Sequence, residues 1–449
     1  MVWGRRICRR CVPIVALLLL LALPQAAGAA NTTIEAETMP FNGTISHVVQ
    51  DGAASGGQAL KMSTNGYASG TVTTSDSSTY LFVRAKGEQC NGAPTVNLKV
   101  DGTSVYTGSV SSTSWTYLGT ALSVAAGSHT IEAGFTNDYS QTLPTSCDRN
   151  LYVDKLVIVG QPFSPTSWRN QPLADNAPLA SNSAQLVSEF QREVAASGTY
   201  VDTTDGTQPV YTVPPDQGTT SVSSPQSLQG QMTNVPLPSN AQPTQGTDKG
   251  LDLWQPETDS YWDFWHLSKN LITGAWSTDW GGRLLSLSSN LAQFPNPFGA
   301  AATGIPYLAG LQRIKELQRG VIDHAVSVAL PAPKAGVCTW PANREDGTSS
   351  DPNAIPEGTR FRLPATLNLD SYNLTPYAKM VGKAIQRYGM VVIDKTKATG
   401  AISFKAEDPT PTGTDPYTNG IFGGVAKTQL FNNFPWDQIQ VLDAPDGGC

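Results

Sequence analysis

The sequence predicts a mainly β protein: an N-terminal antiparallel β-sandwich, then a larger mixed, β-rich unit with a few short helices. Three observations carry this. Segments with period-two alternation recur between Gly- and Ser-rich turns over 31–160. Beyond 167, hairpin-like stretches are joined by only a few short helix-period ones, without the sustained βαβ alternation of a doubly wound sheet or a (β/α)₈ barrel. The composition agrees: 41 Gly and 32 Pro in 449 residues, with only 14% charged, suits an exported protein rich in turns.

The first element is a leader. Arg5, Arg6, Arg9 and Arg10 form a basic start, 12–23 is apolar, and 26–30 supplies small residues for cleavage. This reads as a secretory signal peptide over 1–30, and the Arg pairs also suit a twin-arginine exporter. The apolar run is shorter than the ~20 residues of a spanning helix. No later stretch is more apolar, so a secreted protein without a membrane span, and a monomer, is expected.

Over 31–160, alternation marks strands at 95–100, 130–135 and 151–159, and Asp101-Gly102 is a hairpin turn. Residues 161–166, with two prolines, read as a short extended linker. The second unit, 167–449, opens with a helix candidate at 183–196, where Leu186, Val187, Phe190 and Val194 fall at helical spacing. The Pro-, Ser- and Thr-rich stretch 209–247 reads as edge segments and loops. A hairpin at 251–267, a short helix at 313–319, a strand at 321–330, a helix at 377–388 ended by Gly389 and a strand at 390–394 complete it.

The net charge of −7 disfavours a nucleic-acid binder, which shows a basic face. Without the leader four cysteines remain, none in C-x-x-C spacing, so zinc and thioredoxin chemistry are disfavoured. An even number in an oxidising compartment reads as disulfides. Pairing within each unit gives Cys90 with Cys147 and Cys338 with Cys449; one or two free thiols are the alternative.

Two features of the first unit suggest metal chemistry. Glu35 and Glu37 fall on one side of a strand, with Asp154 in the last strand, and hard oxygen ligands of this kind suit Ca²⁺. Asp138, Asp148 and Asn150 lie in loops that a Cys90–Cys147 bridge would tether. Solvated carboxylates and turn-forming Asx residues are the plain alternative.

The strings at 88–94, 100–102 and 126–129, Phe-Thr-Asn-Asp at 135–138 and Asp-Arg-Asn-Leu-Tyr-Val-Asp at 148–154 resemble the calcium-dependent xylan-binding carbohydrate-binding modules of families thirty-six and sixty. The resemblance covers essentially all of 31–160. It implies a jelly-roll sandwich and a Ca²⁺ held by Asp138, Asp148 and Asn150 that binds vicinal sugar hydroxyls. Glu35, Glu37 and Asp154 would hold a structural Ca²⁺.

In the second unit the hairpin is the most informative stretch. Alternation puts Leu251, Leu253, Trp262 and Phe264 on one face, and Asp252, Trp254, Asp263 and Trp265 on the other, with Asp248 in phase upstream. Indoles stack on sugar rings, and glycoside hydrolysis uses two carboxyl groups. Asp263 with Asp252 or Asp248 is therefore the expected catalytic pair, and Trp254, Trp265 and Trp276 the expected platforms. His324 and Glu357 are further acid–base candidates, and Arg360 and Arg362 could clamp an acidic sugar. Ordinary structural roles compete for each. Pieces at 262–265, 302–306, 320–325, 357–363 and 387–390 are similar to a large group of exported bacterial domains, a likeness that implies no activity. No Ser nucleophile elbow, H-E-x-x-H or P-loop occurs.

The expected function is a secreted glycoside hydrolase acting on xylan or a related plant-wall glycan, held on it by a calcium-dependent module. The alternatives are a polysaccharide lyase, with His324 or Tyr388 as base, and a non-catalytic glycan-binding protein.

Overall fold

The computed structural model describes residues 31–228, 230–396 and 400–449. The expected signal peptide lies outside them.

The chain is mainly β, as its patterning predicts. Two antiparallel sheets form the N-terminal sandwich. In the larger, Asn150–Val159 is central, pairing with Ser78–Glu88, Thr32–Glu35 and Gln58–Met62. The smaller runs Gly66–Thr74, Gly127–Phe135, Thr95–Val100, Thr103–Ser109. Side chains alternate across a strand, so Leu81, Val83 and Ala85 of one sheet meet Val96, Leu98 and Ile131 of the other. Asp101 and Gly102 have φ of 49° and 78°, both positive as a tight two-residue hairpin turn requires.

The outer face of the larger sheet is also covered. Phe82, Val157 and Val159 join Phe163, Trp168, Tyr261 and Phe294 in a second core. The strand end Leu156–Val159 is apolar at every position, the mark of a strand buried on both faces. The expected linker at 161–166 is therefore no free tether: Phe163 within it is fully buried.

The remainder is built on a mixed six-stranded sheet, in the order Thr199–Asp202, Ile402–Lys405, Val326–Leu330, Met390–Lys395, Arg360–Arg362, Gln440–Val441. The helices Ser183–Ser197 and Pro376–Arg387 cover one face, with Phe190, Val381 and Ile385 packed on Val328, Val392 and Phe404. Thr375 caps the second helix by accepting from Ala378 N–H. Val391 and Ile393, on the sheet's other face, enter the core shared with the sandwich.

A four-stranded sheet carries the hairpin: Val210–Thr212, Leu251–Gln255, Ser260–Trp265 and Trp280–Leu285. Leu251, Leu253, Trp262 and Phe264 enter one core as their alternation predicts. Trp254 and Tyr261, on the opposite face, enter another. The hairpin is thus a central layer, not a wall open to solvent.

Candidate functional site

In the sandwich the expected loops converge. Cys90 and Cys147 are disulfide-bonded. The Arg149 guanidinium lies beneath them and donates to the carbonyls of Cys90, Gly92 and Asn137 at 2.5–3.2 Å. Asn150 Nδ2 donates to Asp148 Oδ2 at 3.1 Å and Glu88 Oε2 at 2.6 Å, leaving the buried Asn150 Oδ1 with no donor. Burial and the neighbouring Asp148 carboxylate push the Asp138 carboxyl up. Two close carboxylates beside a free amide oxygen match the donor set of a Ca²⁺ site.

The second group is less open. Asp154 is fully buried and pairs with Arg84 at 2.5 Å, and its other oxygen accepts from Ser55 N–H at 2.8 Å. Glu35 closes its strand and Glu37 falls in the following 3₁₀ turn, so strand alternation does not relate them. Each still has one buried carboxylate oxygen without a donor.

The hairpin carboxylates need correction. Asp252 and Asp263 are direct cross-strand partners, and neither has exposed surface. Asp252 accepts from the Tyr261 hydroxyl at 2.6 Å, within a core that also holds Trp254. Burial and the Asp263 carboxylate hold the Asp252 carboxyl well above its ordinary range. Burial pushes Asp263 up to about 7, against the pull of the Ala300 N–H and the Arg344 guanidinium. A saccharide cannot reach this pair, because both faces of the sheet are packed.

The other expectations sort by burial. Trp276 is buried. Arg360 donates to Trp168 O and Tyr388 O, and Arg362 to Ala174 O and Gln440 Oε1, so both are engaged in bracing the chain. His324 is sealed, with its ring nitrogens facing Glu316 Oε2 at 3.0 Å and Ala325 O at 2.7 Å. Glu357 is fully buried behind Asp346. Cys338 and Cys449 are disulfide-bonded, as paired from the sequence.

Tyr388 lines a cavity of about 660 Å³ together with Asp76, Gln161 and Asp323. A separate cleft runs along the edge where the two C-terminal sheets meet. Two cavities of about 420 and 370 Å³ share Asp248, Tyr307, Asp394 and Lys395. Volumes of this order suit a small-molecule or sugar site. Trp265 and Trp280 line one end and Tyr200 the other. Trp265 is 37% exposed, an indole held partly open at the rim.

Sheet geometry supplies the acids. Val201 and Phe404 point into the helix-covered core, so their neighbours Asp202, Ser403 and Lys405 face the cleft. The register shifts between Val328 and Ala329, so that Asp394 pairs with Ala329. Such a bulge re-aims a side chain and is common beside functional sites. The turn carrying Asp248 is pinned by His266 N–H donating to Asp248 O at 2.8 Å. An ideal Cβ on Gly206 would stand 3.2 Å from Asp202 Oδ2, 3.6 Å from Asp248 Oδ2 and 3.1 Å from Lys405 Nζ. The two carboxyl groups thus flank one point, which only a residue without a side chain leaves free.

Their environments differ. Burial raises the Asp248 carboxyl, against the pull of Lys405 and the Trp265 indole N–H. Burial also works against the Asp202 carboxylate. Lys405 and the N–H groups of Asp205, Thr204 and Gly206 outweigh it and hold Asp202 below its ordinary value. Burial and the Asp346 carboxylate bring Asp394 to about 6, while its Oδ2 accepts from Tyr307 OH at 2.9 Å. Of these groups sequence reasoning singled out only Asp248 as catalytic. The signal for the others was the alternation of Tyr200/Asp202 and Ser403/Lys405 with apolar neighbours.

The comparisons bear on the class first: residues 80–170 match a family model for carbohydrate-binding modules. The family they match is CBM60, described as a Ca-dependent, xylan-binding carbohydrate-binding module. Similar solved structures include a CBM36 module in complex with calcium and xylotriose, at 21% identity, covering 28% of this chain and 98% of that one, with a TM-score of 0.24. Another is the CBM36-1 domain of a multidomain xylanase from the hindgut metagenome of Trinervitermes trinervoides, at 20% identity, covering 29% and 98%, with a TM-score of 0.25. A third is an exo-β-1,3-galactanase from Phanerochaete chrysosporium, at 18% identity, covering 29% of each chain, with a TM-score of 0.23. No curated protein matches the chain.

Proposed function

We propose that the chain is a secreted glycoside hydrolase acting on xylan or a closely related plant-wall glycan. Residues 31–160 act as its calcium-dependent binding module and 167–449 as its catalytic unit. The match of 80–170 to a xylan-binding family supports the first half. Both disulfides suit an oxidising compartment. Among the described residues no helix is long and apolar enough to cross a membrane.

The observation that carries the second half is the cleft, where Asp202 and Asp248 flank the gap at Gly206 beside Trp265 and Trp280. Their Oδ2 atoms can be no farther apart than the sum of the 3.2 and 3.6 Å arms. That lies below the ~9.5 Å upper limit for glycosidase carboxyl pairs. Asp248, held up by burial, protonates the departing glycosidic oxygen. Asp202, kept ionised, attacks the anomeric carbon or takes the proton of an attacking water. The indoles offer flat faces to the sugar rings flanking the scissile bond.

In the calcium-dependent module, Asp138, Asp148 and Asn150 Oδ1 would hold the ion, which supplies a charge that orders two adjacent sugar hydroxyls. Loss of the ion would leave the hydrolytic cleft intact but untargeted.

The deciding experiment is product analysis on xylans, glucans, galactans and pectins. New reducing ends from a xylan with the unaltered chain, and none with Asp248→Asn, are expected. A chain that binds xylan yet releases no new ends from any of these glycans is a binding protein, and the hydrolase reading fails.

A further inference from the structure

Three carboxylates outside the catalytic pair converge on the wall of the cleft. One oxygen each of Asp346, Glu357 and Asp394 lies within 4.8 Å of the others. They come from separate stretches of chain. The bulge in Met390–Lys395 aims Asp394. Glu357 is held by a backbone bridge to Cys338, itself locked to Cys449. Gly358 follows with φ of 85°, and a Cβ there would lie 1.7 Å from Thr339 O, so the backbone beside Glu357 tolerates only glycine.

Protein donors satisfy part of this group. Lys395 Nζ reaches Asp346 Oδ2 at 2.8 Å. The Asp394 oxygens accept from Tyr307 OH at 2.9 Å and Lys395 N–H at 2.8 Å. Glu357 Oε2 accepts from Asp346 N–H at 3.1 Å. Glu357 Oε1, on a side chain with no exposed surface, has no donor, and neither does the buried Asp346 Oδ1. One ammonium does not balance three carboxylates. The nearby Arg344 donates Nη2 to the carbonyls of Phe298, Gly299 and Ala301 and adds a second positive charge near Glu357 and Asp394. Buried carboxylate oxygens this close, without a donor, are satisfied by a bound cation or by protons shared among the acids.

We propose that Asp346, Glu357 and Asp394 bind one hard divalent cation of the Ca²⁺ or Mg²⁺ type. Oxygen-only donors select that class over softer metals. Asp346 and Asp394 line the cleft, so the ion's open positions face the space a sugar would occupy. This site is separate from the one in the binding module, and it does not depend on the hydrolase reading, because an inactive chain would hold the ion equally well.

The test counts ions. The full chain is stripped with a chelator, dialysed against Ca²⁺ alone or Mg²⁺ alone, and analysed for metal per chain. Glu357→Gln and Asp346→Asn are each expected to hold one ion fewer than the unaltered chain, with xylan binding retained. The Asp346 side chain is 41% exposed, so its variant remains a fair test if Glu357→Gln does not fold. An equal ion count in the unaltered chain and in folded Asp346→Asn overturns the proposal and assigns the positive charge to shared protons.

Discussion

Asp252 and Asp263 face each other as direct partners across two strands, and both are completely shielded from solvent. Two carboxyl groups so placed fold more readily protonated than charged. The Asp263 carboxyl sits at about 7 against 3.8 when free. Between those values the unfolded chain has lost the proton and the folded chain keeps it, so this group's contribution to stability falls as pH rises from about 4 to 7 and is flat above. Asp263→Asn should remove that slope and be at least as stable as the unaltered chain at pH 8. Denaturant melts at pH 5 and pH 8 check it. A folded Asp263→Asn that hydrolyses nothing would return this residue to the chemistry.

The pair lining the cleft, Asp248 and the buried Asp202, should govern hydrolysis instead. Asp248→Asn and Asp202→Asn are each expected to lower hydrolysis by ~10²–10⁴-fold, the range for a lost general acid or base. Xylan binding should be unchanged. The loss of Asp248 should be partly relieved on substrates with a good leaving group, which need no proton, whereas the loss of Asp202 should not. Equal rates for both variants and the unaltered chain would move catalysis elsewhere.

The contrast between these pairs shows what the sequence could convey. Alternation placed Leu251, Leu253, Trp262 and Phe264 correctly on one face, the Asp101-Gly102 turn was legible, and the helices expected at 183–196 and 377–388 are found at Ser183–Ser197 and Pro376–Arg387. Alternation says which residues share a face; it does not say whether that face is open. The side bearing Asp252 and Trp254 is covered by packing between residues far apart in sequence, Phe163, Phe294 and Leu308 among them. The cleft acids were hidden for a related reason. Asp202 and Asp248 come together only through tertiary packing, and Asp394 owes its direction to a bulge that no local pattern announces.

Calcium should control binding and leave folding largely untouched. Asp138 and Asp148 repel each other without a cation between them, and Asn150 Oδ1 has no protein donor. Excess chelator, or Asp148→Asn, is expected to weaken xylan binding at least tenfold in affinity electrophoresis, with added Ca²⁺ restoring the unaltered chain only. The Cys90–Cys147 disulfide and the Arg149 contacts keep the loops in place either way. Undiminished xylan binding in chelator would contradict the calcium role.

The Cys338–Cys449 bridge closes a sequence separation of 111 residues and fixes the C-terminus beside Glu357. Loops of that length are associated with about 4.7 kcal/mol of stabilisation on the chain-entropy account. Cys449→Ser should lower the melting temperature by several degrees. It should also loosen the wall of the cleft more than the sandwich, which hydrogen exchange would resolve. Uniform loss of protection across both regions would count against a local role for the bridge.

Acid should weaken the molecule in part through Glu316. This carboxylate is buried between His324, Arg169 and Arg313. Burial works against its charge, but those partners outweigh it and hold it down at about 2, against 4.5 when free. The stability it contributes is complete above pH 4.5 and drains away as pH falls toward 2, because the unfolded chain then takes up a proton that the folded one resists. Glu316→Gln removes one partner of a buried ion pair and leaves the other unmatched, which costs about 3–5 kcal/mol. The variant should therefore melt lower than the unaltered chain at pH 7 and converge with it toward pH 2. A constant gap at all pH values would mean that Glu316 acts through packing alone, and that His324 owes its position to Ala325 O and the surrounding core.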